Sequence, residues 1–290
     1  MGTSWSARLV DPPENSLAAI EATLARVIDQ MSNWEAGSVI SRFNRLPPGQ
    51  WLDLPPDMRT VLRAGLDMAR LSDGAFDPAI GHLVDRWGFG PATLPAPTPF
   101  PAGRAPWTCI ELDGARARRL ADVALDFSGI AKGFAVDALA DALRALGVTN
   151  FLVEIGGELR GDGIKPDVQP WWVDVEAPPG LPVPTLRVAL CGLAIATSGD
   201  YRRFRMDDGR RLSHSIDPTT GAPIASGVAS VTVLHDSAMM ADAWATAITI
   251  MGPDAGMKLA TRHNLAARLV LRASQGAQEY MTPALAAMLD

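Results

Sequence analysis

At 290 residues, with 48% hydrophobic and 20% charged residues, the chain has enough apolar content to bury a full core, which excludes a disordered polypeptide. A formal net charge of −6 argues against a basic face for gripping nucleic acid, and Cys109 and Cys191 lack the spacing of a zinc site or a disulfide framework. No stretch approaches the roughly 20 apolar residues of a membrane-spanning helix.

Residues 1–10 lack a basic segment followed by a long apolar run, so a cytoplasmic protein is expected if the chain is complete, and a periplasmic one if a leader has been removed. No linker or low-complexity tract divides the sequence, and a single domain over 1–290 is expected. Residues 3–10 read as a strand. Ser16–Met31 reads as an amphipathic helix, because Leu17, Ile20, Leu24, Val27, Ile28 and Met31 recur at helical spacing. A second helix is expected over 57–71, after Pro55 and Pro56 and before Ser72, Asp73 and Gly74. The proline-dense stretch 91–106 reads as an irregular surface excursion.

The second half reads as strand–turn–helix units. Residues 123–127 form a strand, Ser128 and Gly129 a turn, and residues 131–146 a helix closed by Gly147, followed by a strand at Phe151–Ile155. Later, 228–234 reads as a strand, His235, Asp236 and Ser237 as a helix start, and 238–251 as a helix stopped by Gly252. Between them, 193–197, 201–206 and 211–216 read as strands, with Asp208 and Gly209 as a hairpin turn. The mixture predicts an α+β fold of mixed sheets with packed helices, and the likeness of the two units is compatible with a weak internal duplication.

Three places carry residue types suited to chemistry. Asp126 ends a strand, Gly129 loosens the backbone, and Lys132 puts an ammonium in the first turn of a helix, where free N–H groups also favour an anion. The glycine spacing is not that of a Walker loop, and a tight turn with a solvated lysine fits the same residues. Asp242 and Thr246 stand four apart on one helix and share a face, which suits a hard cation that takes oxygen ligands; an end-of-helix carboxylate and a back-bonded threonine fit equally. His214 lies where a strand gives way to the Asp217-Pro218 turn, and imidazole is the side chain best poised to move a proton near neutral pH, although a structural histidine also fits. The glycine-rich strand ends 153–158 and 196–201 call for close backbone approach or a bulge.

Read in order, six blocks of this sequence resemble the ApbE family of FAD:protein FMN transferases. They are Met31 with 38–44, Phe76-Asp77-Pro78, 125–133, 153–158, 197–201 with 213–221, and 237–252. The resemblance implies an ApbE-like (T-fold-like) core, FAD as substrate, Mg²⁺ as cofactor, and an acceptor protein with a short Thr- or Ser-containing motif. It also implies roles at matching positions. Met31, Ala75, Phe76 and Asp77 would contact the flavin or adenosine, Asp126 and Lys132 would bind FAD, and Ile216 would line the pocket. The Gly129 carbonyl, Asp242 and Thr246 would hold Mg²⁺, and His214 would act as base on the acceptor hydroxyl. An FAD pyrophosphatase that passes FMN to water, or an FAD-binding protein without turnover, would use the same residues. Met240, Trp244 and Ser215 depart from the family pattern and bear on the surroundings of the metal and of His214.

Overall fold

Residues with long aliphatic and β-branched runs dominate the second half of the sequence, and they build the largest sheet. The computed structural model describes residues 2–92, 106–201, 203–207, 210–274 and 276–289. Most of the proline-dense stretch 91–106 and the expected turn residues Asp208 and Gly209 lie outside the described residues. The chain divides into two compact units, one comprising Arg26–Ala131 and Arg203–Ala225, the other Gly2–Ala25, Lys132–Arg202 and Ser226–Asp290.

The second of these holds a seven-stranded antiparallel sheet. Its order is Trp5–Leu9, Phe151–Ile155, Glu158–Asp162, Leu193–Gly199, Val228–His235, Ala266–Ala273 and Gly276–Met281. Val228–His235 is buried along nearly its whole length, as a central strand covered on both faces must be. The helix Ala238–Arg262 packs against Leu193–Gly199 and Val228–His235. Cross-strand neighbours Ile195, Leu234 and Ala266 share a face, and there they meet Trp171, Val175, Leu186, Val188 and Leu190 from the strand pair Trp171–Val175 and Leu186–Leu190. Gly252, with φ 77° and ψ −175°, breaks the helix Ala238–Arg262, and Pro253 starts a new helical stretch because its fixed φ and missing N–H suit a first turn. The stop at Gly252 therefore falls where expected, while the helical run after it was not anticipated.

The first unit contains the helices Val39–Arg45, Pro56–Leu71 and Gly81–Arg86, with a three-stranded sheet ordered Leu52–Asp53, Arg116–Arg119, Ile110–Asp113. Phe204–Asp207 pairs with Arg210–Ser213, and Ile216–Asp217 with Ala222–Pro223, so the expected strand 211–216 is split in two. The expected strand over 123–127 is corrected: among the described residues this segment makes a single isolated bridge, Ala124 to Ile80. Side chains and a neighbouring turn take the place of a partner strand. Asn44 Oδ1 accepts the Leu125 N–H at 2.7 Å, Asn44 and Asn33 donate to the Leu125 carbonyl, Arg119 donates to the Val123 carbonyl, and the Asp126 N–H reaches the Pro78 carbonyl. The α+β class holds throughout.

Candidate functional site

Two helix N-termini in the second unit approach closely at Gly133 and Ala238. Helix Ala131–Ala145 brings Lys132 and Gly133 there in its first turn, and Ala238–Arg262 brings Asp242 one turn in. A β-carbon built on Gly133 would stand 2.1 Å from the Ala238 carbonyl oxygen, so only glycine permits this approach. Asp137, one turn further along its helix, holds the second N-terminus in place. Its carboxylate accepts the N–H groups of Ala238 and Met239 at 3.0 Å each and the Ser237 hydroxyl at 2.7 Å, and it pairs with Arg160 at 2.9 Å. The Ser237 side chain in turn caps Met240.

This scaffold sets a polar cluster. The Lys132 ammonium lies 2.6 Å from Glu158 Oε1 and 3.7 Å from Asp242 Oδ1, and Asp242 Oδ2 accepts the Gly133 N–H at 3.1 Å. Glu158 and Asp242 are buried, whereas Lys132 keeps 26% of its side chain exposed. Burial pushes the Glu158 carboxyl up to about 7, with Asp242 adding to the rise and Lys132 opposing it. Burial likewise raises Asp242 against the pull of Lys132 and of the Gly133 N–H. Burial works against the Lys132 charge, but Asp242 and Glu158 outweigh it and hold the ammonium above its ordinary value. One ammonium faces two buried carboxylates, so that with both deprotonated the cluster carries one negative charge beyond the lysine's, suited to a further cation.

Thr246 follows Asp242 by one turn on the same helix and is partly exposed. Mg²⁺ commonly takes one or two carboxylates and fills its shell with water and phosphate oxygens, and the Asp242 carboxylate with the Thr246 hydroxyl fits that donor set. Among the described residues no group of three or more His, Cys, Asp and Glu forms an all-protein metal cage. Trp244 is buried against the His263 ring at 5.0 Å between ring centres, and Met240 is partly exposed.

The first unit holds the other sequence-derived residues. Met31, Phe76, Asp77 and Ile216 are buried, while Ala75 and Gly129 are partly so. Asp77 accepts the N–H of Ala79 at 2.8 Å and of Trp107 at 3.1 Å, yet burial dominates and raises its carboxyl to about 6. Asp126 closes a turn by accepting the Ser128 N–H and hydroxyl, and receives Asn33 Nδ2 at 3.1 Å. His214 Nδ1 lies 3.0 Å from the Arg203 carbonyl oxygen, which can only accept, so Nδ1 carries the hydrogen and the neutral ring keeps its lone pair on Nε2. Phe89 meets the His214 ring edge-on at 6.3 Å and packs with Ile216 and Leu83. Ser215 is buried, its N–H held by the Ser213 hydroxyl.

Within the second unit the structure thus brings Lys132 to Asp242 and Glu158, and Thr246 follows Asp242 by one turn on the same helix. In the first unit it places Asp126 beside Asn33 and His214 beside Phe89 and Ile216. Glu158, Asn33, Asn44 and Asp137 were missed as site-building residues. Glu158 had a signal in the Gly156-Gly157-Glu158 turn, where φ values of 61° and 101° at the glycines fix the strand that carries it.

The ApbE family model matches residues 1–269. The FAD:protein FMN transferase of Vibrio cholerae is 36% identical over 293 residues, covering 97% of this chain and 88% of that relative. The Escherichia coli K12 protein of the same name is 30% identical over 299 residues, covering 98% and 85%. Among solved structures, the apo form of the flavinyl transferase ApbE of Pseudomonas stutzeri has a TM-score of 0.91 at 37% identity and covers 99% of this chain and 94% of its own. The ApbE protein of Thermotoga maritima has a TM-score of 0.83 at 28% identity, covering 98% and 94%. The family model and the relatives match almost the whole chain and the fold agrees with theirs, and the chain belongs to the ApbE family.

Proposed function

We propose that this protein transfers the FMN half of FAD to a hydroxyl side chain of an acceptor flavoprotein and releases AMP. The observation that carries this reading is the match along almost the whole chain to proteins named FAD:protein FMN transferase. The Lys132–Glu158–Asp242 cluster supplies chemistry consistent with it.

Met31, Ala75, Phe76 and Asp77 are assigned to the flavin or adenosine, and Asp126, Lys132 and Ile216 to FAD binding. A pyrophosphate resists attack because its negative oxygens repel the nucleophile and its departing phosphate is poor without neutralisation. Charge neutralisation at those oxygens is what Mg²⁺ supplies when held by Asp242 and Thr246. Lys132 contributes a fixed positive charge to the same end. His214 takes the proton of the acceptor Thr or Ser hydroxyl on Nε2 while Nδ1 stays bound to the Arg203 carbonyl. The hydroxyl oxygen then bonds to the phosphorus on the FMN side, the bond from that phosphorus to the bridging oxygen breaks, and AMP departs with that oxygen. FMN remains on the acceptor as a phosphoester.

The test is incubation with FAD, Mg²⁺ and candidate acceptors bearing a short Thr- or Ser-containing motif, followed by a denaturing gel viewed for flavin fluorescence. His214→Ala should bind FAD almost normally and lose transfer by roughly 100- to 10,000-fold, the usual cost of losing a general base. Intact transfer by that variant, or failure only because FAD no longer binds, removes His214 from the role.

A further inference from the structure

We infer that Glu158 is a positioning residue that holds Lys132 away from Asp242, so that the Asp242 carboxylate stays open to a divalent cation. This rests on the reading of Asp242 as a metal ligand. The geometry is asymmetric. Lys132 Nζ sits 2.6 Å from Glu158 Oε1, a close charge-assisted hydrogen bond, but 3.7 Å from Asp242 Oδ1, a looser ion pair longer than an ordinary hydrogen bond. Asp242 is fixed on its other oxygen by the Gly133 N–H, so its Oδ1 is the side the lysine would take.

A lysine carries its charge on a flexible stem and pairs with whichever carboxylate is offered. If Glu158 were neutral, the neighbouring anion in this cluster would be Asp242, and a small rotation of the stem would close the gap. That pair would occupy the lone pairs a cation needs. Glu158 itself is 1% exposed, and its Oε2 has no hydrogen-bond partner among the described residues. A buried carboxylate oxygen left without a partner costs stability, so fold stability alone does not explain the residue. It is carried on the strand Glu158–Asp162, paired on both sides within the seven-stranded sheet, which makes it a rigid anchor for the lysine.

The experiment titrates Mn²⁺ into the full chain with FAD present and follows the electron paramagnetic resonance of free Mn²⁺. Wild type, Asp242→Ala, Glu158→Gln and Glu158→Asp are compared, each with a urea unfolding curve. Glu158→Gln should bind Mn²⁺ roughly 10- to 100-fold more weakly, the usual effect of losing an outer partner of a metal ligand. It should unfold at a urea concentration no lower than wild type, because Lys132 finds Asp242. Glu158→Asp, which keeps the charge but draws it back, should fall between. Excess Mg²⁺ should restore transfer by Glu158→Gln, since competition yields to mass action and a damaged fold does not. Unchanged Mn²⁺ affinity in Glu158→Gln, against a wild type that binds and an Asp242→Ala that does not, overturns this inference alone. A wild type with no Mn²⁺ site removes the metal reading, and the inference with it. Failure of both Glu158 variants to fold also overturns it, by making the residue structural.

Discussion

Replacing Gly133 with alanine tests whether the two helix N-termini must touch. The added carbon would stand 2.1 Å from the Ala238 carbonyl oxygen, 2.6 Å from its carbon and 2.8 Å from the Met239 Cα. Unbonded heavy atoms rest at about 3.5–4.0 Å, so the gap would have to open by roughly 1.4 Å. No rotamer change relieves this, because the obstacle is backbone. That backbone is also anchored, with Ala238 and Met239 both bonded to Asp137. Overpacking of a tight contact costs about 1–3 kcal/mol, and the anchoring places Gly133→Ala near about 3. With a urea dependence of about 1–3 kcal/mol per molar, the unfolding midpoint should fall by about 1 M or more. Parting the helices would also lengthen the 3.1 Å bond from Gly133 to Asp242, so transfer should fall in the fraction that remains folded. A variant whose midpoint lies within about 0.2 M of wild type, with full transfer, would mean that the two helix N-termini need not touch.

Asp137→Ala removes the acceptor of two backbone N–H groups and of Arg160, and should cost about 2–4 kcal/mol in urea unfolding, with Asp137→Asn losing less. Asp77 has a folded-state pKa raised by burial from 3.8 to about 6, so between these values the folded protein holds a proton the unfolded chain has released. Its contribution is therefore present below about pH 4 and is lost as pH rises through 6. Between pH 4 and 7 wild type should lose about 2 kcal/mol relative to Asp77→Asn, measured as the change in the gap between their unfolding free energies. Asp242→Ala should abolish Mg²⁺-dependent turnover while FAD binding and the fold survive, and near-normal activity across a magnesium titration would count against the assignment.

What the sequence made legible was local. The helical period over Ser16–Met31, the strand at Phe151–Ile155 and the break at Gly252 depend on neighbours within a few residues, and each was found. The four-residue spacing of Asp242 and Thr246 was visible for the same reason. The resemblance then added residues no spacing could supply. What stayed hidden depends on partners far along the chain. Residues 123–127 carry a strand-like pattern, but Asn33, Asn44 and Arg119 satisfy their backbone, and nothing in the apolar period announces that. Asp137 looks like an ordinary polar residue on a helix until Ser237, Ala238 and Met239 come to it. Glu158 was read with its two glycines as a matter of backbone, because the lysine it holds lies on another element.

The most direct test of the central claim is the intact mass of a purified acceptor after incubation with this protein, FAD and Mg²⁺, with AMP counted in the same sample. The acceptor should gain one FMN less the elements of water, with AMP appearing mole for mole with it. AMP accompanied by free FMN and an unmodified acceptor, across acceptors bearing Thr or Ser motifs, would contradict that claim.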